Sequence, residues 1–130
     1  MMDIVALILF MAFQVKHLII DFYLQTPYMY ENKGKVEGWV APLASHALEH
    51  ALGTLAILVI LNIYSGNQMI SYLIFKLTVF DFVTHFIIDR WKATQKVTPQ
   101  EEIFWTNLGW DQFLHHSVGI FIIFLSLSND

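Results

Sequence analysis

The sequence predicts an all-α integral membrane protein, a four-helix up-down-up-down bundle forming a single domain over residues 1–130. Three observations carry this reading. Apolar residues make up 56 % of the chain and charged residues 14 %, whereas an average soluble domain is roughly a quarter charged. The apolar residues gather in four stretches, each long enough to cross a hydrocarbon core about 30 Å thick. None shows the period-2 alternation of a barrel strand, which leaves helices as the spanning form. A soluble bundle with unusually apolar helices is the rival, and the missing charge argues against it.

The first stretch runs from Ile4 to Leu24. It is expected to be retained as a helix. Met1-Met2-Asp3 has no basic region before the apolar run, and no small-residue cleavage site follows it. A polar loop with Pro27, Asn32, Lys33, Gly34, Lys35 and Gly38 comes next. The second stretch runs from Pro42 to Tyr64 and ends at the turn signal Ser65-Gly66-Asn67-Gln68. The third runs from Met69 to Trp91. Thr98-Pro99-Gln100-Glu101-Glu102 then reads as a helix start, with Thr98 as N-cap, Pro99 at the first helical position and acids in the first turn. The fourth stretch runs from there to Leu127, with a break expected at Gly109.

Lys33 and Lys35 lie in the first loop, and Arg90, Lys92 and Lys96 lie around the third. The second loop and both ends carry no basic residue. The positive-inside rule therefore puts loops one and three in the cytoplasm and the termini outside, in a bacterial inner membrane. Lys16 leans toward the first loop. Lys76 sits inside the third helix, where it either snorkels outward or pairs with a buried acid such as Asp81. With no cysteine, disulfides, iron–sulfur clusters and thiol catalysis are excluded. A net charge of −4 and the lack of a basic stripe argue against nucleic acid as a partner.

The polar residues within the helices are not scattered. Helix one carries His17 and Asp21, helix two His46 and His50, helix three Asp81, His85 and Asp89, and helix four Asp111 and His115. Residues four apart share a helix face. In an up-down bundle these pairs also share a depth, toward the cytoplasmic end, and all six histidines of the chain fall in that layer. One His-x3-Asp pair is accounted for by hydrogen bonding within its own helix. Four pairs at one depth need a common compensation, because ionisable groups in a bilayer cost roughly 2.5–3.5 kcal/mol each on insertion scales. A divalent cation supplies it. The expected ligands are His17, Asp21, His46, His50, His85, Asp89, Asp111 and His115, around one or two ions. Mixed nitrogen and oxygen donors suit zinc first, with iron or manganese also compatible.

His116 points about 100° away from His115, so at most one of the two faces the site. Gln25 and Gln112 are candidate partners for the ligands. Glu49 is a candidate general base and Lys92 a candidate contact for an anionic substrate. The plainer readings, a polar neighbour and a cytoplasmic anchor, come first for both. Trp39, Trp91, Trp105 and Trp110 read as an aromatic belt at the interface.

The segments Lys16-His17-Leu18-Ile19-Ile20-Asp21-Phe22-Tyr23-Leu24-Gln25-Thr26, Ser45-His46-Ala47-Leu48-Glu49-His50-Ala51, His85-Phe86-Ile87-Ile88-Asp89-Arg90-Trp91-Lys92 and Asp111-Gln112-Phe113-Leu114-His115 resemble a family of small bacterial and phage membrane proteins of unknown function. The resemblance covers nearly the whole chain and implies a membrane domain rather than an activity. A looser likeness is to bacterial inner-membrane proteins described as metal-dependent hydrolases. It transfers no individual residue role.

The first functional expectation is a metal-dependent hydrolase in the lipid bilayer, acting on a lipid or amphiphilic phosphate or acyl substrate. A divalent ion lowers the pKa of its water toward about 7 and polarises a phosphoryl or acyl oxygen. The alternatives are a metal-ion or proton transporter and a non-catalytic interaction protein in which the polar layer only fixes helix register. Against transport, Ile57 to Leu61 and Ile120 to Leu125 offer no polar route. Ala51, Gly53 and Ala56 form a small-residue face able to pack against a second copy.

Overall fold

The structure, a computed structural model, describes residues 2–66, 69 and 71–128. It is all-helical: α1 spans Met2–Ile19 and runs into a π-helical turn at Ile20–Leu24, α2 spans Pro27–Asn32, α3 Val40–Tyr64, α4 Ser71–Ala93 and α5 Glu102–Leu127. Four of the helices are long and apolar enough to cross a membrane, and no more than 33 % of any span's apolar window is buried. The outward faces carry Ile8, Phe22, Phe75, Ile87 and Phe124. A soluble bundle turns such faces inward, so these helices are built to meet lipid.

The long helices close into a ring in which α1 meets α3 and α5, and α4 meets α3 and α5. Short connections force antiparallel neighbours, hence the up-down order. The interior divides into two halves. One is apolar, with Leu9, Phe13, Leu58, Leu61, Ile74, Leu77, Ile122 and Ile123. The other, toward the α2 and α4–α5 connections, holds the buried histidines and aspartates.

Several boundaries move from their expected places. Residues 27–32 form α2, because Thr26 precedes Pro27 at the first helical position in extended geometry, a helix start that the loop composition hid. α3 begins at Val40 rather than Pro42. α4 begins at Ser71 and ends at Ala93 rather than running from Met69 to Trp91. α5 begins at Glu102, after Glu101, rather than at Pro99. The Glu101 carboxylate accepts hydrogen bonds from the Thr98 N–H at 2.7 Å and the Thr98 hydroxyl at 3.0 Å, closing a separate turn ahead of the helix. α5 is unbroken at Gly109, which faces open space. In the second connection Gly66 has a φ of 80°, as the turn signal requires. Asn67 and Gln68 of that signal lie outside the described residues.

Two glycines let α1 in close. A Cβ on Gly53 would lie 2.8 Å from Cγ of Lys16, and one on Gly119 would lie 3.4 Å from Phe13. Of the small-residue face on α3, Ala51 is buried and Gly53 receives the Lys16 stem. Ala56 alone of the three faces outward.

Candidate metal centre

The π-helical turn at Ile20–Leu24 widens the end of α1 just where Asp21 faces the bundle. Such bulges recur at functional sites. Asp21 divides its two oxygens. Oδ1 lies 2.9 Å from His50 Nε2 and 3.2 Å from His46 Nε2, while Oδ2 lies 3.1 Å from His17 Nε2. Asp89 on α4 does the same on the far side. Its Oδ2 lies 3.1 Å from His46 Nε2 and its Oδ1 lies 3.1 Å from His115 Nε2. His115 also has Asp111 Oδ1 at 3.4 Å. Two carboxylates thus link histidines from three of the four spans, α1, α3 and α5.

A second polar group lies one turn deeper. His85 Nδ1 faces Asp81, with Oδ1 and the main-chain oxygen both at 3.1 Å. Asp81 Oδ2 accepts hydrogen bonds from the Thr54 hydroxyl at 2.6 Å and from Lys16 Nζ at 3.0 Å. Lys16 Nζ also donates to Thr54 Oγ1 at 2.9 Å. Of the two readings of Lys76, the outward one holds and the pairing with Asp81 does not. Lys76 faces outward with its ammonium 4.3 Å from the Tyr72 ring, and Lys16 takes its place. Lys16 does not lean toward the first loop. Gly53 leaves a channel for its stem, and the ammonium ends between α3 and α4.

The pairing of His85 with Asp81 fixes the direction of its ring. Nδ1–H donates to the Asp81 main-chain oxygen, with the carboxylate Oδ1 at the same distance, and Nε2 is left buried without a hydrogen-bond partner. A backbone carbonyl or carboxylate on one ring nitrogen and a free lone pair on the other is how a metal-ligating histidine is commonly held. Nδ1 of His46, His50 and His115 also lacks a hydrogen-bond partner. The Glu49 carboxylate stands 3.9 Å from that nitrogen of His46. The rings of His50, His85 and His115 stack, with centroids 3.9 Å and 4.4 Å apart.

Three triads have one ligand atom per residue within 4.8 Å of one another: His17, His50 and His85; Asp21, His46 and His50; and Asp89, Asp111 and His115. Neighbouring donors on an ion with bonds of 2.0–2.2 Å stand about 2.8–3.1 Å apart at octahedral angles and about 3.3–3.6 Å apart at tetrahedral ones. The contacts of Asp21 and Asp89 with His46, His50 and His115 span 2.9–3.2 Å. The donor set is nitrogen and oxygen throughout, and the eight expected ligands all fall within these triads.

The remaining candidates take other places. Glu49 backs His46 from the outer side. Lys92 lies over Phe104, 4.5 Å from its centroid, in a cleft shared with Lys33. His116 packs on His17 at 5.3 Å between centroids and belongs to none of the triads. Gln112 Oε1 lies 3.3 Å from His17 Nε2, and its amide nitrogen donates to Asp111 at 3.0 Å. Gln25 Nε2 meets His46 Nε2 at 3.1 Å. Trp39 stacks beneath Arg90, and Trp91, Trp105 and Trp110 face outward. Lys16, Thr54 and Lys33 are the site residues that motif reading did not single out. The signal for Lys16 was its position, directly before His17 in an apolar helix.

The family described as "Protein of unknown function (DUF3307)" matches residues 9–130. No curated protein and no solved structure matches the chain. The match covers nearly the whole sequence, and the chain belongs to that family.

Proposed function

We propose that this DUF3307 protein holds one or two divalent metal ions in the polar half of its bundle and uses them for hydrolysis at the membrane interface. The observation that carries the reading is the division of the Asp21 and Asp89 oxygens among histidines of different helices. Carboxylates so placed would hold an ion together with the neighbouring histidines. Each triad would supply three protein donors, the number found in catalytic rather than closed structural sites. Zinc fits the imidazole and carboxylate set best, and iron and manganese share its preferences. A bound ion would supply Lewis acidity and a water nucleophile at neutral pH.

The chain's own groups set the rest. Asp81 orients His85, Glu49 backs His46, and Gln112 couples His17 to Asp111. The centre lies toward the end that carries Lys33, Lys35, Arg90, Lys92 and Lys96. By the positive-inside rule that end faces the cytoplasm of a bacterial inner membrane. A substrate reaching it from there is a lipid or another amphiphile with a phosphate or acyl group.

The test is elemental analysis of protein purified in detergent and dialysed against chelator-treated buffer. Near-stoichiometric zinc, iron or manganese is expected, with a loss of most of it in His46→Ala and in His85→Ala. Folded wild-type protein that neither retains nor rebinds any of these ions would falsify the reading.

A further inference from the structure

Beside the centre, at the same end of the bundle, lies a cleft of about 450 Å³ lined by Lys33 and Lys35 from the first connection, Lys92 from α4, Lys96 just beyond it, and Phe104 from α5. Glu31 is the one acid in its lining. Among the described residues, no carboxylate lies within ion-pair distance of Lys35, Lys92 or Lys96. Collecting four ammonium groups around one concavity opposes folding through like-charge repulsion. Membrane anchoring does not require it, because snorkelling lysines can spread around the rim of the bundle.

The cleft is held rather than loose. Arg90 Nη1 donates to the main-chain oxygens of Lys33 at 2.8 Å and Lys35 at 3.0 Å. Its guanidinium sits 3.9 Å from the Trp39 ring centroid. Gly34 packs on the end of α4 so closely that a Cβ there would lie 2.5 Å from the main-chain oxygen of Ala93. Lys96 has a φ of 47°, a left-handed conformation that carries strain for a residue with a side chain and recurs at ligand clamps. Lys33 joins the cleft to the centre, with Nζ 3.5 Å from Asp89 Oδ2.

We propose that this cleft binds a phosphate group and presents the molecule that carries it to the neighbouring centre. Three lysines, Lys35, Lys92 and Lys96, without a carboxylate partner and without a planar fork suit a compact, multiply charged oxyanion, with Lys33 turned to Asp89 beside them. The proposal rests on the metal reading for the chemistry that follows, but not for binding. The phosphate comes either from a lipid headgroup or from a soluble ester, and both present the same oxygens to the lysines.

Full-length protein in detergent, with metal removed by chelation, would be titrated with phosphatidic acid, phosphatidylcholine of equal chain length and inorganic phosphate. Native mass spectrometry reads the lipids and calorimetry reads the phosphate. The variant K35Q/K92Q/K96Q keeps Lys33 at the centre. A variant K35R/K92R/K96R keeps the charge and controls for misfolding. Wild type is expected to retain phosphatidic acid at least tenfold better than the Gln variant, with the Arg variant close to wild type and phosphatidylcholine unaffected. Binding of inorganic phosphate without phosphatidic acid, lost in the Gln variant, supports the cleft and assigns it a soluble ester. No binding of either by wild type, or equal binding by the Gln variant, overturns the proposal. If phosphate binds but elemental analysis finds no metal, the hydrolase reading fails and the cleft stands.

Discussion

Lys16 and Asp81 are the deepest charged pair in the bundle, with 7 % and 1 % of their side chains exposed, and they make the packing argument directly testable. Lys16→Met keeps an unbranched stem in the channel beside Gly53 and removes the ammonium. Asp81 then remains buried with Thr54 and His85 but without its counter-charge. Removing one partner of a buried pair costs about 3–5 kcal/mol. The lower end is expected here, about 3 kcal/mol, because the Thr54 hydroxyl still donates. That is roughly a hundredfold in the folding equilibrium, at 1.4 kcal/mol per tenfold. Asp81→Asn is expected to cost a similar amount, by stranding the ammonium. The double variant K16M/D81N strands neither group, so its cost should fall well below the sum of the two singles. The assay is reversible unfolding in mixed micelles, followed by circular dichroism, for all four members of the cycle. A K16M cost below about 0.5 kcal/mol, or purely additive singles, would show that the pair does not hold α1 against α3 and α4.

Gly53→Ala places a methyl group within 2.8 Å of the Lys16 stem, so it should destabilise by about 1–3 kcal/mol, as overpacking does. The same change in a Lys16→Ala background should be nearly neutral, and equal costs in both backgrounds would refute the channel. Asp81→Asn should also weaken metal affinity by about 10–100-fold, the usual effect of losing a ligand's carboxylate partner, as read by competition with a chromogenic chelator. Unchanged affinity would mean that Asp81 serves packing alone. His116→Ala should leave metal content at the wild-type level while His85→Ala abolishes most of it, and the reverse order would place the ions on the other side of His17.

Much of this architecture was legible in the sequence because lipid imposes a simple code. Length and apolarity mark a span, so all four long helices and the depth of the histidine layer follow from counting. One-turn spacing put His17 with Asp21 and Asp111 with His115, and both pairs are in contact. Contacts across helices were less legible. Periodicity places a residue on a face but does not say which neighbour supplies its partner. Lys76 lies five residues before Asp81 on the same helix, yet their partner choice is set by Gly53 and Thr54, two residues of α3 that open a channel to Lys16. The π-helical turn at Asp21 leaves no composition signal. α2 had one, Thr26-Pro27, which the surrounding polar loop concealed.

The division of the interior also bears on the choice between a hydrolytic centre and a transport path. A path across the membrane needs polar groups or water from one side to the other. Moving inward from the basic end, the buried polar groups are Asn107, Asp89 and Asp111, then His17, His46, His50, His85 and His115, then Lys16, Thr54 and Asp81, and in the far half Ser126, whose hydroxyl donates to the Ile123 main-chain oxygen of its own helix. Beyond Lys16, Thr54 and Asp81, the side chains of Phe13, Leu58, Leu77 and Ile122 close the axis, and Leu58 and Ile122 are fully buried. Asp81 could begin a conducting chain, but both of its oxygens are committed, Oδ1 to His85 and Oδ2 to Lys16 and Thr54. The fixed ammonium of Lys16 adds a positive charge at the point where a cation would have to continue. That arrangement opposes passage of a divalent ion through the apolar half and agrees with the proposed centre, in which Asp81 would orient His85.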